Sequence, residues 1–168
     1  MFSLSIWLRI YNLFHRLYCE GKIMENNNIY TPIIFYIDYI NIEYNKYLNR
    51  QFKGITPRDF TYLLNIYYHK DCSQRELADL LIVSEANAGQ IIRRLEKNNL
   101  VTRDFDEKNK SRRIINLTDE GTHLVLSLLD AAKKWESKFF EKYDLEDKEK
   151  FKAMISDYYQ SSINKDYV

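Results

Sequence analysis

From Thr31 onward, apolar residues recur at three- and four-residue steps, the spacing of helices that bury one face. Ile33, Ile37, Ile40, Tyr44 and Tyr47 form the first such stripe, which runs to about Phe52 and is stopped by Gly54. Pro32 suits the first turn of that helix. Thr56 caps the next, with Pro57 at its first position and Phe60, Leu63, Leu64 and Tyr67 as the expected buried face. A short helix then spans about 73–81, where Ser73 is the N-cap and Glu76 stands three residues on, a capping-box spacing. Leu77, Ala78 and Leu81 face inward, and the small Ala78 lets a second helix cross closely. That second helix spans about 84–98, with Ala88, Ile91, Ile92 and Leu95 on one side. The period then changes. Residues 100–105 and 112–117 read as antiparallel strands, joined by a polar loop at 106–111 that has nothing to bury. Thr118 opens a long helix in which Leu124, Val125, Leu128, Leu129, Ala132, Trp135 and Phe139 keep helical spacing. Leu145 opens the last, with Phe151, Met154, Ile155 and Tyr158 expected inside.

Two short helices at a tight turn, followed at once by a charged ribbon, make a winged helix-turn-helix in a mainly α fold. The usual use of that shape is the major groove of DNA. In the second helix the apolar side must pack on the first, so the polar side faces out. Gln90, Arg93 and Lys97 lie opposite the apolar row, with Asn87, Gly89 and Arg94 on the flanks. Amides read base edges and guanidinium groups hold phosphates, which makes this the expected reading helix. Ser73, Gln74 and Ser84, at the starts of the two short helices, complete the candidate DNA-facing set there. On the wing the candidates are Lys110, Arg112 and Arg113. Strand alternation puts the two arginines on opposite faces, so one of them should point at DNA. Arg112, nearer the tip, is the expected one.

Composition sharpens this only in part. The 168 residues carry a net charge of +1, so the chain as a whole is not a polycation. The charge is patterned instead: residues 90–113 hold eight Lys/Arg against four Asp/Glu, a local electrostatic footprint. Two cysteines make no disulfide framework, which fits a reducing cytoplasm. The apolar, aromatic run at 2–18 is too short and too charged to span a bilayer, and it lacks a signal-peptide pattern. It reads as an amphipathic segment for the body or a partner chain, or alternatively for a membrane surface; Met1 and Met24 are both candidate starts. No catalytic, cofactor or metal constellation stands out. There are four glycines and no phosphate loop, the three histidines are far apart, and His69 and Cys72 have ligand-like spacing without companions.

The segments GITPRDFTYLL, SQRELADLL, RRLEKNNLVTR and INLTDEG, in that order and spacing, closely resemble the MarR family of transcriptional regulators. The resemblance covers about 31–165, and the Leu-Thr-x-x-Gly after the wing is its most distinctive piece. It implies a homodimer held by 31–54 and 119–168, a DNA-binding lobe at 55–118 and an N-terminal extension at 1–30. The apolar stripes, too many for one thin domain to cover, call for a second copy in any case. The resemblance further implies a palindromic operator and a small, often aromatic, effector held between the lobes and the dimer helices. Cys19 lies upstream of the helix that carries the sensing cysteine in the peroxide-responsive branch of the family, and it reads as a plain thiol.

Four departures from the family pattern matter. Asn109, Lys110 and Ser111 stand where Asp-Arg-Arg is common, which puts a wing built on an Asp–Arg pair in doubt. Ile82 holds a turn position that is often Gly, so that the turn either avoids the left-handed conformation or bears strain. Glu85 replaces a common basic residue. Gly89 either lets the helix backbone approach DNA or is a tolerated surface glycine. With Glu85 and the weak net charge, the alternative reading is a winged-helix protein–protein module that does not read sequence.

Overall fold

The computed structural model describes residues 32–106, 109 and 112–163. The expected extension at 1–30, with Cys19, and the wing-tip Lys110 lie outside the described residues. The chain divides after Glu43 into two compact units, and the lobe considered below lies wholly in the second.

Helix α1 (Ile33–Gln51) ends where Gly54, at φ +80°, turns the chain. Helix α2 (Pro57–Tyr68) begins on a full capping box: the Thr56 hydroxyl accepts from the Asp59 amide, and the Asp59 carboxylate accepts from the Thr56 amide. Its buried face is Asp59, Phe60, Tyr62, Leu63 and Ile66. Leu64 and Tyr67, expected inside, are only half-buried, because the helix presents the row through Tyr62 and Ile66 more squarely to the core.

Helices α3 (Gln74–Leu80) and α4 (Glu85–Lys97) form the helix-turn-helix. Ser73 and Ser84 are their N-caps, and Ser73 shares a capping box with Glu76. Ala78 and Ala88 are both buried at the crossing, as their size requires. The turn closes with the Val83 amide donating to the Ala78 carbonyl at 3.0 Å. That geometry drives Ile82 to φ +52°, so of the two possibilities at this turn the strained one is realised. A β-branched residue in the left-handed region is held there against a cost of about 1–2 kcal/mol.

Strands β1 (Val101–Phe105) and β2 (Arg113–Leu117) pair antiparallel, with Arg103 opposite Ile115 and Phe105 opposite Arg113. The wing is anchored at its base, where the Ile115 amide donates to the Cys72 carbonyl at 2.8 Å and Ser73 bridges Ile114. Helix α5 (Asp119–Phe140) follows. Its Thr118 cap accepts from the Gly121 amide at 2.9 Å and donates from its hydroxyl to the Asn99 carbonyl at 2.7 Å. A Cβ on Gly121 would lie 2.0 Å from the Leu100 carbonyl oxygen, so the motif's glycine is required by the close pass of wing and helix. Helix α6 (Leu145–Ile163) closes the described chain.

The main core lies beneath the helix-turn-helix, where Leu63, Leu77, Ile92, Leu95 and Val125 are fully buried. A smaller cluster of Leu48, Phe60, Leu128 and Ala131 joins the end of α1 to α5. Trp135 extends it, packing on Tyr47 at 5.1 Å and Tyr44 at 5.9 Å between ring centroids. The last helix departs from expectation. None of its residues is buried within the chain, and Phe151, Met154, Ile155 and Tyr158 are all exposed. Their apolar spacing is genuine, but among the described residues only Phe139 and Phe140 of α5 reach it, against Phe151.

Candidate nucleic-acid interface

Helix α4 is the most strongly two-faced element of the lobe. Ala88, Ile91, Ile92 and Leu95 are buried, while Asn87, Gln90, Arg93 and Lys97 are exposed. Packing against α3 fixes the helix on one side, so the amide and guanidinium groups stand free on the other. Asn87, Gln90 and Arg93 make no side-chain bond among the described residues, and they share one surface.

The flanks differ from the expectation. Gly89 is buried, not smooth surface: its missing Cβ would sit 3.0 Å from the Gln74 carboxamide nitrogen. The gap lets that carboxamide lie over the helix and donate to the Glu85 carbonyl at 3.2 Å. Gly89 thus serves the contact between the two helices, and Gln74 is engaged in it. Ser73 and Ser84 spend their hydroxyls as caps, with Ser84 accepting from the Asn87 amide at 3.2 Å.

Arg94 reaches across to α2, although its side chain stays 44% exposed. Its Nε donates to Asp59 Oδ1 at 3.1 Å, its Nη2 pairs with the same oxygen, and Asp59 is only 2% exposed. The expected phosphate ligand is therefore tied to α2 by a buried carboxylate. Arg103, on β1, pairs with Glu96 of α4 at 3.3 Å.

The wing corrects a second arginine. Arg112 folds back over its own base, with Nη1 to Asp106 at 2.6 Å and Nη2 both to Glu76 at 2.6 Å and to the Asp71 carbonyl at 2.9 Å. Both terminal nitrogens are engaged, so the arginine nearer the tip is not the free one. An Asp–Arg pair does support this wing, made by Asp106 and Arg112 in place of the aligned positions. Glu76 is drawn into the same network. The Ser73 amide and the Arg112 guanidinium together hold its carboxyl down at about 2, against an ordinary 4.5. Arg113 is exposed and stands over the Phe105 ring, its Cζ 3.4 Å from the centroid. Phe105 is itself 55% exposed. It is not among the residues expected from the sequence, although the hairpin register alone places it opposite Arg113.

Of the basic residues on the lobe's reading surface, Arg94, Arg103 and Arg112 are thus internally paired, and Arg93, Lys97 and Arg113 face solvent. Cys72 is buried and its thiol is pushed up by that burial, which makes it a poor nucleophile. Among the described residues no group of acidic, histidine and cysteine side chains is placed to hold a metal ion, and no helix is long and apolar enough to cross a membrane. An open cleft of about 670 Å³ lies between the end of α1 and α5, lined by Tyr47, Gln51, Phe52, His123, Leu126 and Lys134 among others.

Residues 55–114, which hold the whole helix-turn-helix and most of the wing, match the MarR family model. An HTH-type transcriptional regulator of Bacillus cereus is 28% identical over 113 residues, covering 67% of this chain and 74% of the relative. The crystal structure of MarR superposes with a TM-score of 0.71 at 21% identity, covering 83% of this chain and 95% of that one. The Staphylococcus aureus MepR–DNA complex matches with a TM-score of 0.65 at 21% identity, over 79% of this chain and 99% of that one. With a two-faced α4, a ribbon tied to the helix-turn-helix and the glycine-dependent start of α5 all in place, residues 55–114 are similar to the MarR family, and the chain has the winged helix-turn-helix fold of the MarR structure.

Proposed function

We propose that this chain is a cytoplasmic, homodimeric regulator that reads a palindromic DNA operator through α4 and steadies itself with the wing. The observation that carries the reading is the exposed row Asn87, Gln90 and Arg93 on a helix whose opposite side is buried. Two carboxamides can each make paired bonds to adenine, and each good paired contact is worth about 1–3 kcal/mol of discrimination. Arg93 and Lys97 supply phosphate contacts along the same helix. Arg113, placed over the Phe105 ring, is the wing residue free to enter a minor groove or meet a phosphate. MepR, which shares the fold, was solved on DNA.

Dimerisation is supported by the apolar surface that one chain leaves open, in α6 and the end of α5. On this reading residues 31–54 and 119–168 hold the dimer and 55–118 meet DNA. A small-molecule effector is supported by the cleft beside α5, whose volume suits a small ligand and whose Tyr47 and Phe52 rings suit an aromatic one. MepR has also been solved with ethidium bromide bound. The test is selection: purified protein should enrich an inverted repeat from a pool of random duplexes. Retention of duplexes without any enriched motif would contradict sequence reading and favour a protein-binding module.

A further inference from the structure

The buried carboxylate of Asp59 has more partners than a helix cap requires. Its Oδ2 accepts from the Thr56 amide at 2.8 Å and the Thr56 hydroxyl at 2.7 Å, which completes the capping box of α2. Its Oδ1 is left for Arg94, which gives it both Nε and Nη2. Arg94 Nη2 also lies 3.4 Å from the Thr56 hydroxyl oxygen. Asp59 is the one buried charged residue among those described, and its pairing partner sits on the reading helix, 35 positions away. An ionised carboxylate this deep is stable only while every partner stays in place. The cap fixes Asp59 relative to α2, and the guanidinium fork fixes α4 relative to Asp59.

We propose that Asp59 and Arg94 are positioning residues for base reading: the pair sets the rotation and depth at which α4 presents Asn87, Gln90 and Arg93. The apolar contacts of Ile91, Ile92 and Leu95 are non-directional, so they bury one side of α4 without themselves specifying its rotation. A directional, two-bonded ion pair on the flank specifies it. Arg94 then acts on DNA through the placement of other side chains, and not as a phosphate ligand. The inference rests on the DNA reading proposed above.

Asp59 is too deep to touch DNA, so its removal separates the two roles. Asp59→Asn keeps an acceptor for the Thr56 amide and loses the charge that holds Arg94. Binding is measured on a duplex enriched by the parent and on a random duplex, each over a salt series. Amide exchange across 85–97 is followed in the absence of DNA. The expected result is a loss of about tenfold in the ratio of enriched to random affinity, with random-duplex affinity and salt slope unchanged, and faster exchange in α4. Arg94→Lys, which keeps the charge but not the fork, should show the same pattern, and it serves alone if Asp59→Asn fails to fold. The proposal is overturned if both variants keep the parent's selectivity and exchange. It is equally overturned if Arg94→Gln lowers affinity on both duplexes and flattens the salt slope while Asp59→Asn does neither. Should the parent bind no duplex, the DNA reading falls on its own, and the exchange of α4 decides the anchoring: faster exchange supports it and unchanged exchange refutes it.

Discussion

Ile82 shows how closely the turn between α3 and α4 is determined by its neighbours. The side chain is 93% exposed and so gains almost nothing from packing, yet its backbone sits at φ +52°. The Val83 amide must reach the Ala78 carbonyl, and the chain accepts a β-branched residue in the left-handed region to let it. Ile82→Gly should therefore stabilise the protein by about 1 kcal/mol, the relief of strain outweighing the entropy that a glycine loses on folding. Urea unfolding of the two proteins checks this, and a less stable glycine variant would mean that Ile82 is held by contacts of its own. Single residues are also where sequence and structure part furthest. Arg94 and Arg112 look like DNA ligands because they are basic and lie on a helix flank and a ribbon. The carboxylate partner of Arg94 stands 35 positions earlier and one of the two partners of Arg112 stands 36 earlier, a separation that no local pattern encodes; the other, Asp106, lies in the same hairpin. Gly89 misleads for a related reason, since what it makes room for is Gln74, on a different helix.

Elements are far more legible. Caps, stops and periodicity locate the six described helices and both strands, because each signal acts within a few residues of its cause. What joins the elements is not visible in the same way. Glu76 is the clearest case: the capping-box spacing announces one role, and Arg112 gives it a second, so that one carboxylate both starts α3 and ties the wing to it. Its carboxyl is held at about 2 in the folded protein against an ordinary 4.5, so the folded state releases that proton more readily than the unfolded chain does. The stability it contributes is then fully present above about pH 4.5 and is lost as pH falls through about 2. Glu76→Gln should accordingly be less stable than the parent at neutral pH, with the gap narrowing below pH 4.5 and closing near pH 2. Thermal melts of both proteins across that range check the sign. A gap independent of pH would show that the carboxylate's charge does not hold the wing.

For the whole molecule, the apolar pattern of the last helix has the spacing of a burying face, yet none of its side chains is buried among the described residues. Leu145 and Met154 are 74% and 71% exposed, and Phe151, Ile155, Tyr158 and Tyr159 lie open with them. Exposed apolar area of this kind is the mark of a surface meant for another chain. Light scattering at micromolar concentration should give the mass of a dimer, about twice 20.3 kDa. A monomer there would leave those side chains without the cover proposed for them.

If α4 reads sequence while the wing contributes charge, the two contributions separate in one experiment. Affinity is measured for the parent and for Asn87→Ala, Gln90→Ala, Arg112→Ala and Arg113→Ala, on an enriched duplex and a random one, over a range of salt. The amide variants should lose about 1–3 kcal/mol on the enriched duplex alone. Arg113→Ala should weaken both duplexes alike and reduce the salt slope by about 0.9 for each phosphate it no longer neutralises. Arg112→Ala should leave the slope as it is, unless the wing detaches. Equal losses of the amide variants on both duplexes, or an unaltered slope for Arg113→Ala, would contradict the account.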